Sequence, residues 1–469
     1  MRSPFVLFAA CALALTPAGT AQAGEWGPLA PPNPYLGPVG TSTMHGDAGS
    51  SDATPLAGPG TGHISVAAYP LASACPTLLQ GTDGLVVALC TAIVGQAPTV
   101  HLLDPASDSP IGTSLASLEL SKGSLLGGVY AYLDHADRLV AVDGDRKLLR
   151  IGHFRESGRW RLAVDAVTDL SGVIPVGDNV TGLVPDWSGN VWFATGKGVV
   201  GAVTASGTTA TVALPAGEQV ANSISAAPSG RVAVASTHAL YELRADSSGR
   251  PEILWRAAYA RGSARKPGQL SWGTGSTPTY FGPTDGADYL TIVDNADDQV
   301  HALVYRSGSG ELMCSRPVLT KGGAGSENSP IGIGRSLFVA STYGYPYPAV
   351  PEGAGPAVPA SAPFVGGMTR VDVDETGCHT VWENTVRSAA VPHLSTADGK
   401  LYTVRRVGLN TTTPLDGYAF TVLDPDSGAV LSDRPLPGTI VDDPLQTSAL
   451  ITAGAQVLQG TITGILRIS

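Results

Sequence analysis

A cassette of short strands recurs along this chain, and that recurrence constrains the fold more than any other feature. From about residue 62 onward, β-branched runs alternate with Gly/Asp/Asn/Ser turns at spacings of roughly ten residues, the pattern of an all-β chain. Aligned on one another, the runs show a longer period. Innermost strands begin near Thr77, Val129, Val180, Asn222, Ser276, Asn328, Pro392 and Thr447, about 40 to 65 residues apart. The clearest cassette is NSISAAPSGRVAVA at 222–235, followed by Ala239-Leu240-Tyr241-Glu242-Leu243 and Glu252-Ile253-Leu254-Trp255. One such four-stranded unit cannot bury its own faces, so neighbours must stack. Radial stacking gives a β-propeller of eight blades. Seven is the alternative, because the cassettes at Val129 and Val180 are weakly marked.

The last cassette contains three runs, at 448–451, 456–460 and 465–468. The run at 63–69, the first after the N-terminal tail, supplies the missing outer strand. Pairing first strand with last repeat closes the ring and removes two open sheet edges. Length alone, 469 residues, allows two or three domains. The unbroken repeat instead makes 62–469 a single domain. The 58 glycines and 36 prolines are what some thirty short strands and their turns require, together with a Pro/Gly-rich tail at 24–61. That tail has no period and reads as a segment wrapped over the body. Charged residues are 14% and the net charge is −11, which excludes the basic face that nucleic-acid binding needs.

Arg2, the apolar stretch 5–15 and Ala21-Gln22-Ala23 before Gly24 are the parts of a cleaved secretory signal at 1–23. No later stretch is long enough to span a bilayer, so a secreted monomer is expected. Four cysteines follow the signal: Cys75, Cys90, Cys314 and Cys378. An even count in an exported chain points to two disulfides. Of three pairings, Cys75–Cys90 flanks a turn at Gly81-Thr82-Asp83-Gly84, and Cys314–Cys378 joins matching places in successive repeats.

Two further elements carry a resemblance. Asp246-Ser247-Ser248-Gly249 before Trp255, and Asp374-Glu375-Thr376-Gly377 before Trp382, resemble the D-x-x-G…W element of PQQ-like propeller repeats; Asp424-Pro425-Asp426-Ser427-Gly428 is similar but lacks the tryptophan. The likeness covers about four of the eight blades. It implies the fold and not the quinone, since the adjacent Cys-Cys pair of the quinoprotein dehydrogenases is missing. The 222–235 cassette also resembles streptogramin-lyase and SMP-30/gluconolactonase repeats, which implies a central divalent metal as an enzymatic alternative.

Propeller geometry brings two kinds of position to one mouth of the central channel: the starts of innermost strands, and the loops between second and third strands. Polar residues there are the candidate site. The starts offer Asn222, Glu327, Asn328, His393 and Gln446-Thr447. The loops offer Asp294, Asn295, Tyr343, Tyr345 and Arg405-Arg406, and the linker before the fifth blade offers Lys266. Glu327 and Asp294 are the candidate acid–base pair, and with Asn328 they would give a hard cation such as calcium its oxygen ligands. Tyr343, Tyr345 and Tyr347 open a long Pro/Ala/Gly-rich loop at 341–367 that suits a lid. His45 and Asp47 lie on a tail leading into an outer strand from the opposite face, so they are not expected at this mouth.

Three functional classes follow: a propeller binding a small molecule, glycan or peptide; a metal-dependent hydrolase, lactonase or lyase using Glu327 and Asp294; or a structural interaction module. The motifs G-x-S-x-G, H-E-x-x-H and the P-loop are absent from the sequence.

Overall fold

The computed structural model describes residues 26–106, 114–123 and 130–469. The predicted signal at 1–23 and the strand start at Val129 lie outside the described residues. Eight sheets stand around a central channel, each with four strands in antiparallel order from inside to outside. Their innermost strands are Ser73–Gln80, Tyr132–Leu133, Val180–Pro185, Ser225–Ala226, Thr279–Phe281, Ile331–Ile333, His393–Ser395 and Leu450–Ile451, which number blades 1 to 8. The chain is an eight-bladed β-propeller.

Closure follows the predicted route. Val66–Pro70 pairs antiparallel with Gly464–Ile468 as the outer strand of blade 8, from Val66 opposite Ile468 to Pro70 opposite Gly464. The core is annular, built between successive blades. Leu79, Val87 and Leu149 pack blade 1 on blade 2, Phe338 and Leu423 blade 6 on blade 7, and Leu78 and Leu458 blade 1 on blade 8.

The Asp-x-x-Gly…Trp element has a physical explanation. Asp246 accepts the backbone N–H groups of Ser248 (2.8 Å) and Arg250 (3.0 Å), which fixes the turn between the outer two strands of blade 4. Trp255, on the outermost strand, lies over the next blade's equivalent turn, where a Cβ on Gly310 would come within 2.6 Å of the indole. Trp382 covers Gly428 in the same way, at 2.5 Å. The tryptophan of one blade therefore fills the space that a turn glycine leaves in the next.

Both predicted disulfides are present. Cys75–Cys90 ties the two inner strands of blade 1, and Cys314–Cys378 joins the outermost strands of blades 5 and 6.

The tail takes a different course from the expected one. It is threaded inside the ring. Ala53–Thr54 adds a parallel fifth strand to the inner edge of blade 7. Backbone carbonyls of Thr41, Ser42, Ala48, Gly49, Ser51 and Asp52 accept N–H groups of Gln80, Leu133, Ala226, Tyr280, Gly332 and Leu394, at 2.7–3.0 Å. These are innermost-strand amides of blades 1, 2, 4, 5, 6 and 7, which would otherwise face the channel unpaired. Small residues permit it: Gly46-Asp47-Ala48-Gly49-Ser50-Ser51 fits where bulky side chains would collide. At Gly46 (φ +83°) a Cβ would lie 2.7 Å from the Ala53 carbonyl, so the tail could not fold back on itself there with any other residue.

Candidate functional site

Where the threaded tail stops the channel, a cavity of about 370 Å³ opens toward the mouth. Met44 and His45 of the tail form its floor. Its walls are the entering positions of the blades: Tyr130, Asn222, Thr277, Glu327-Asn328-Ser329, Val391 and Gln446-Thr447-Ser448. Ile93 and Ile462 come from the loops between second and third strands of blades 1 and 8, and Tyr347-Pro348-Ala349 from the long loop of blade 6. Most of the lining is apolar, and its main polar groups enter from blades 2, 4, 6 and 8.

Those polar groups form a chain. The Tyr130 hydroxyl donates to Asn222 Oδ1 (3.2 Å), Asn222 Nδ2 donates to the Gly275 carbonyl (2.7 Å) and lies 3.4 Å from Glu327 Oε1. Asn328 Nδ2 donates to Gln446 Oε1 (3.0 Å), whose own Nε2 donates to the Ser388 carbonyl (2.6 Å). Glu327 is 8% exposed and its Oε2 has no hydrogen-bond partner. That oxygen is turned against Gly275, where a Cβ would sit 2.6 Å from it. Burial pushes the carboxyl pKa up to about 8, although the Leu270 backbone, Asn222 and the Arg265 charge each oppose the rise. Glu327 is therefore mainly a neutral carboxylic acid at pH 7.

The floor carries a second polar pair. His45 Nδ1 lies 2.9 Å from Asp52 Oδ1, and its Nε2 lies 3.4 Å from Thr277 Oγ1. Burial disfavours the imidazolium, but the adjacent Asp52 carboxylate outweighs it, so the pKa of His45 stands above the usual value. His393, on the innermost strand of blade 7, has its Nε2 3.6 Å from the same Asp52 oxygen. Burial lowers the His393 pKa.

Of the residues picked out from the sequence, Asn222, Glu327, Asn328, Gln446, Thr447 and Tyr347 line the cavity. The other candidates are placed elsewhere. Asp294 folds back on its own hairpin, accepting the His301 N–H (2.7 Å) and pairing with the His301 ring (3.1 Å), and is not among the lining residues. It therefore stands outside the cavity that Glu327 and Asn328 line. Among the described residues no three His, Cys, Asp or Glu side chains are disposed to hold a metal. Asn295 donates to the Arg261 and Ala264 carbonyls and anchors the linker. Lys266 donates to the Ala324 carbonyl (2.8 Å) and, with Tyr343, lines a separate depression beside Asp297 and Asp298. Tyr345 is buried with its hydroxyl bonded to Asp443, its ring edge-on to Tyr347. His393 lies behind the floor rather than on the wall. Arg406 is buried between Asp416 (2.8 Å) and Asp443 (3.2 Å), and Arg405 pairs with Asp433. Inner-strand starts thus reach the cavity, whereas the polar residues of most second-to-third-strand loops satisfy their own hairpins.

Among the lining residues that were not picked out from the sequence, two carry titratable groups. Tyr130 precedes the weakly marked inner strand of blade 2. His45 was assigned to the opposite face, because nothing in the repeat pattern encodes the threading of the tail.

No family model and no curated protein sequence matches this chain. Among solved structures, a europium-containing methanol dehydrogenase superposes with a TM-score of 0.55 at 11% identity, covering 91% of this chain and 98% of its own. The shared feature is the β-propeller fold. The Dos1 propeller aligns at a TM-score of 0.49 and 10% identity, covering 93% of this chain and 94% of its own. A streptogramin B lyase aligns at 0.44 and 10% identity, covering 87% and 97%. At these identities the likeness is one of fold.

Proposed function

We propose that this propeller is a secreted binding protein that holds a small molecule in the tail-floored cavity at the channel mouth. One observation carries the reading: a half-open cavity of about 370 Å³, apolar over most of its wall, is lined by amide, hydroxyl and neutral carboxyl groups that hydrogen-bond to one another. Pockets of this size and polarity are the usual form of a small-ligand site. The paired cysteines fit an oxidising compartment, and among the described residues no helix is long and apolar enough to cross a membrane. Glu327 takes the role of a buried hydrogen-bonding acid beside Asn222 and Asn328. Asp294, Asn295, Lys266, Tyr343 and Tyr345 belong to the framework around it.

The test is a thermal-shift screen of uncharged small molecules on the native protein beside Ala92→Trp. Ala92 lines the cavity away from the polar chain, so the indole fills the space. Compounds that raise the melting temperature of the native protein should leave the variant unmoved. A library without hits, or hits that stabilise both equally, would reject the reading.

A further inference from the structure

Apolar side chains form a ridge on the mouth face of blades 7, 8 and 1 that belongs to no core. Leu415 is 84% exposed in the blade 7 loop, Val441 50% in the connection to blade 8, and Ile93 and Val94 51% and 88% in the blade 1 loop. Hydrogen bonds tie these segments edge to edge. Ile440 N–H donates to the Pro414 carbonyl (3.4 Å), Thr463 Oγ1 donates to the Val441 carbonyl (3.0 Å), and Leu71 and Ile93 N–H groups donate to the Thr463 and Ala72 carbonyls (3.2 and 3.0 Å). Ile93 and Ile462 also line the cavity, so ridge and cavity are one continuous apolar surface. A contiguous exposed patch of this kind marks a binding surface, unlike scattered single residues.

The inner end has a different chemistry. No Lys or Arg is among the described lining residues, and His45 is already paired with Asp52. An anionic group buried there would have no counter-charge, and a cationic one would have to ionise Glu327, whose carboxyl burial keeps neutral; both are costly. Asn222 with Tyr130 and Glu327, and Asn328 with Gln446, spend only part of their amide hydrogen-bonding capacity on these partners and on backbone.

We infer that the ligand is a single amphiphile: an uncharged hydrogen-bonding head seated beside Asn222, Asn328 and Gln446, and a linear apolar chain leaving over Ile93, Val441 and Leu415. This rests on the reading of the cavity as a ligand site. It adds the ligand's class and the direction in which it lies.

Titration calorimetry at pH 7 with hexanamide, octanamide and decanamide tests it, with decanoate and the compact amide benzamide as comparisons. Affinity should rise about fourfold per added methylene, the factor expected for burying one CH₂. Decanoate should bind at least tenfold more weakly than decanamide. Val441→Asp and Leu415→Asp, both at exposed positions outside the cavity lining, should each weaken decanamide about tenfold and leave benzamide unchanged. Affinity independent of chain length, or unaffected by the ridge substitutions, overturns the inference. If benzamide binds and is blocked by Ala92→Trp while decanamide fails, the cavity reading stands and this one falls. If no amide binds, both fall. Neutral phosphatidylcholine vesicles provide the last arm: ridge-dependent sedimentation with vesicles that Ala92→Trp leaves intact would make the ridge a bilayer contact and refute the single-amphiphile site.

Discussion

Replacing Glu327 by glutamine should change how the protein's stability depends on pH. In the folded chain the carboxyl holds its proton up to about pH 8, whereas the unfolded chain releases it near the usual 4.5. Across that window the native state binds more protons than the unfolded state, so rising pH favours unfolding. Each pH unit is worth about 1.4 kcal/mol, which makes the full penalty about 5 kcal/mol by pH 8. The penalty is absent below pH 4.5 and complete above pH 8. Glutamine has the same shape and never ionises, so Glu327→Gln should escape it. Urea unfolding at pH 5, 6, 7 and 8 would measure the difference between the two proteins. The variant should gain on the native protein by about 1 kcal/mol at each step above pH 5. Parallel stability curves would show that Glu327 is not a buried neutral acid, and the polarity assigned to the cavity would be wrong.

Other consequences are structural. Glu242 is fully buried in blade 4 and accepts from Trp255 Nε1, the Tyr280 and Ser307 hydroxyls and the Gly308 N–H at 2.7–2.9 Å, the last three from blade 5. Glu242→Ala should cost about 4 kcal/mol in urea unfolding, because it strands those donors. Gly46→Ala, which forces a Cβ against the Ala53 carbonyl, should cost about 2 kcal/mol and speed hydrogen exchange at Ala226, Tyr280, Gly332 and Leu394, the amides capped by the tail. Unchanged exchange at those four would mean that the tail does not stop the channel. Removing the Cys314–Cys378 bridge, which spans 64 residues, should destabilise by about 4 kcal/mol against about 3 for Cys75–Cys90, which spans 15, as loop entropy requires. Equal or reversed losses in Cys314→Ser and Cys75→Ser proteins would contradict that order.

The blades were legible because each is written in local sequence. Strand and turn alternate within one cassette, and the inner strands Val180–Pro185, Ser225–Ala226 and Leu450–Ile451 lie within a few residues of the predicted starts. The closing strand was legible for a related reason: a three-run last repeat leaves a definite vacancy for the run at 63–69. The site was legible where it follows from strand starts, as at Asn222, Glu327, Asn328 and Gln446, and at Tyr347 from the length of the blade 6 loop. Asp294 was misplaced because a carboxylate in a tight turn is satisfied first by its own hairpin amides, which outcompete a distant mouth. His45 was misplaced because the route of a tail is set by complementarity between its small residues and the unpaired inner edges of six blades. That is a long-range property with no periodic signal.

The most direct test of the account is a crystal structure of the protein bound to a compound from the thermal-shift screen. Ligand density is expected between the His45 floor and the Tyr347-Pro348-Ala349 cover, in contact with Asn222 and Asn328. Density at the outer edges of the blades, or in the depression beside Lys266 with the central cavity empty, would contradict it.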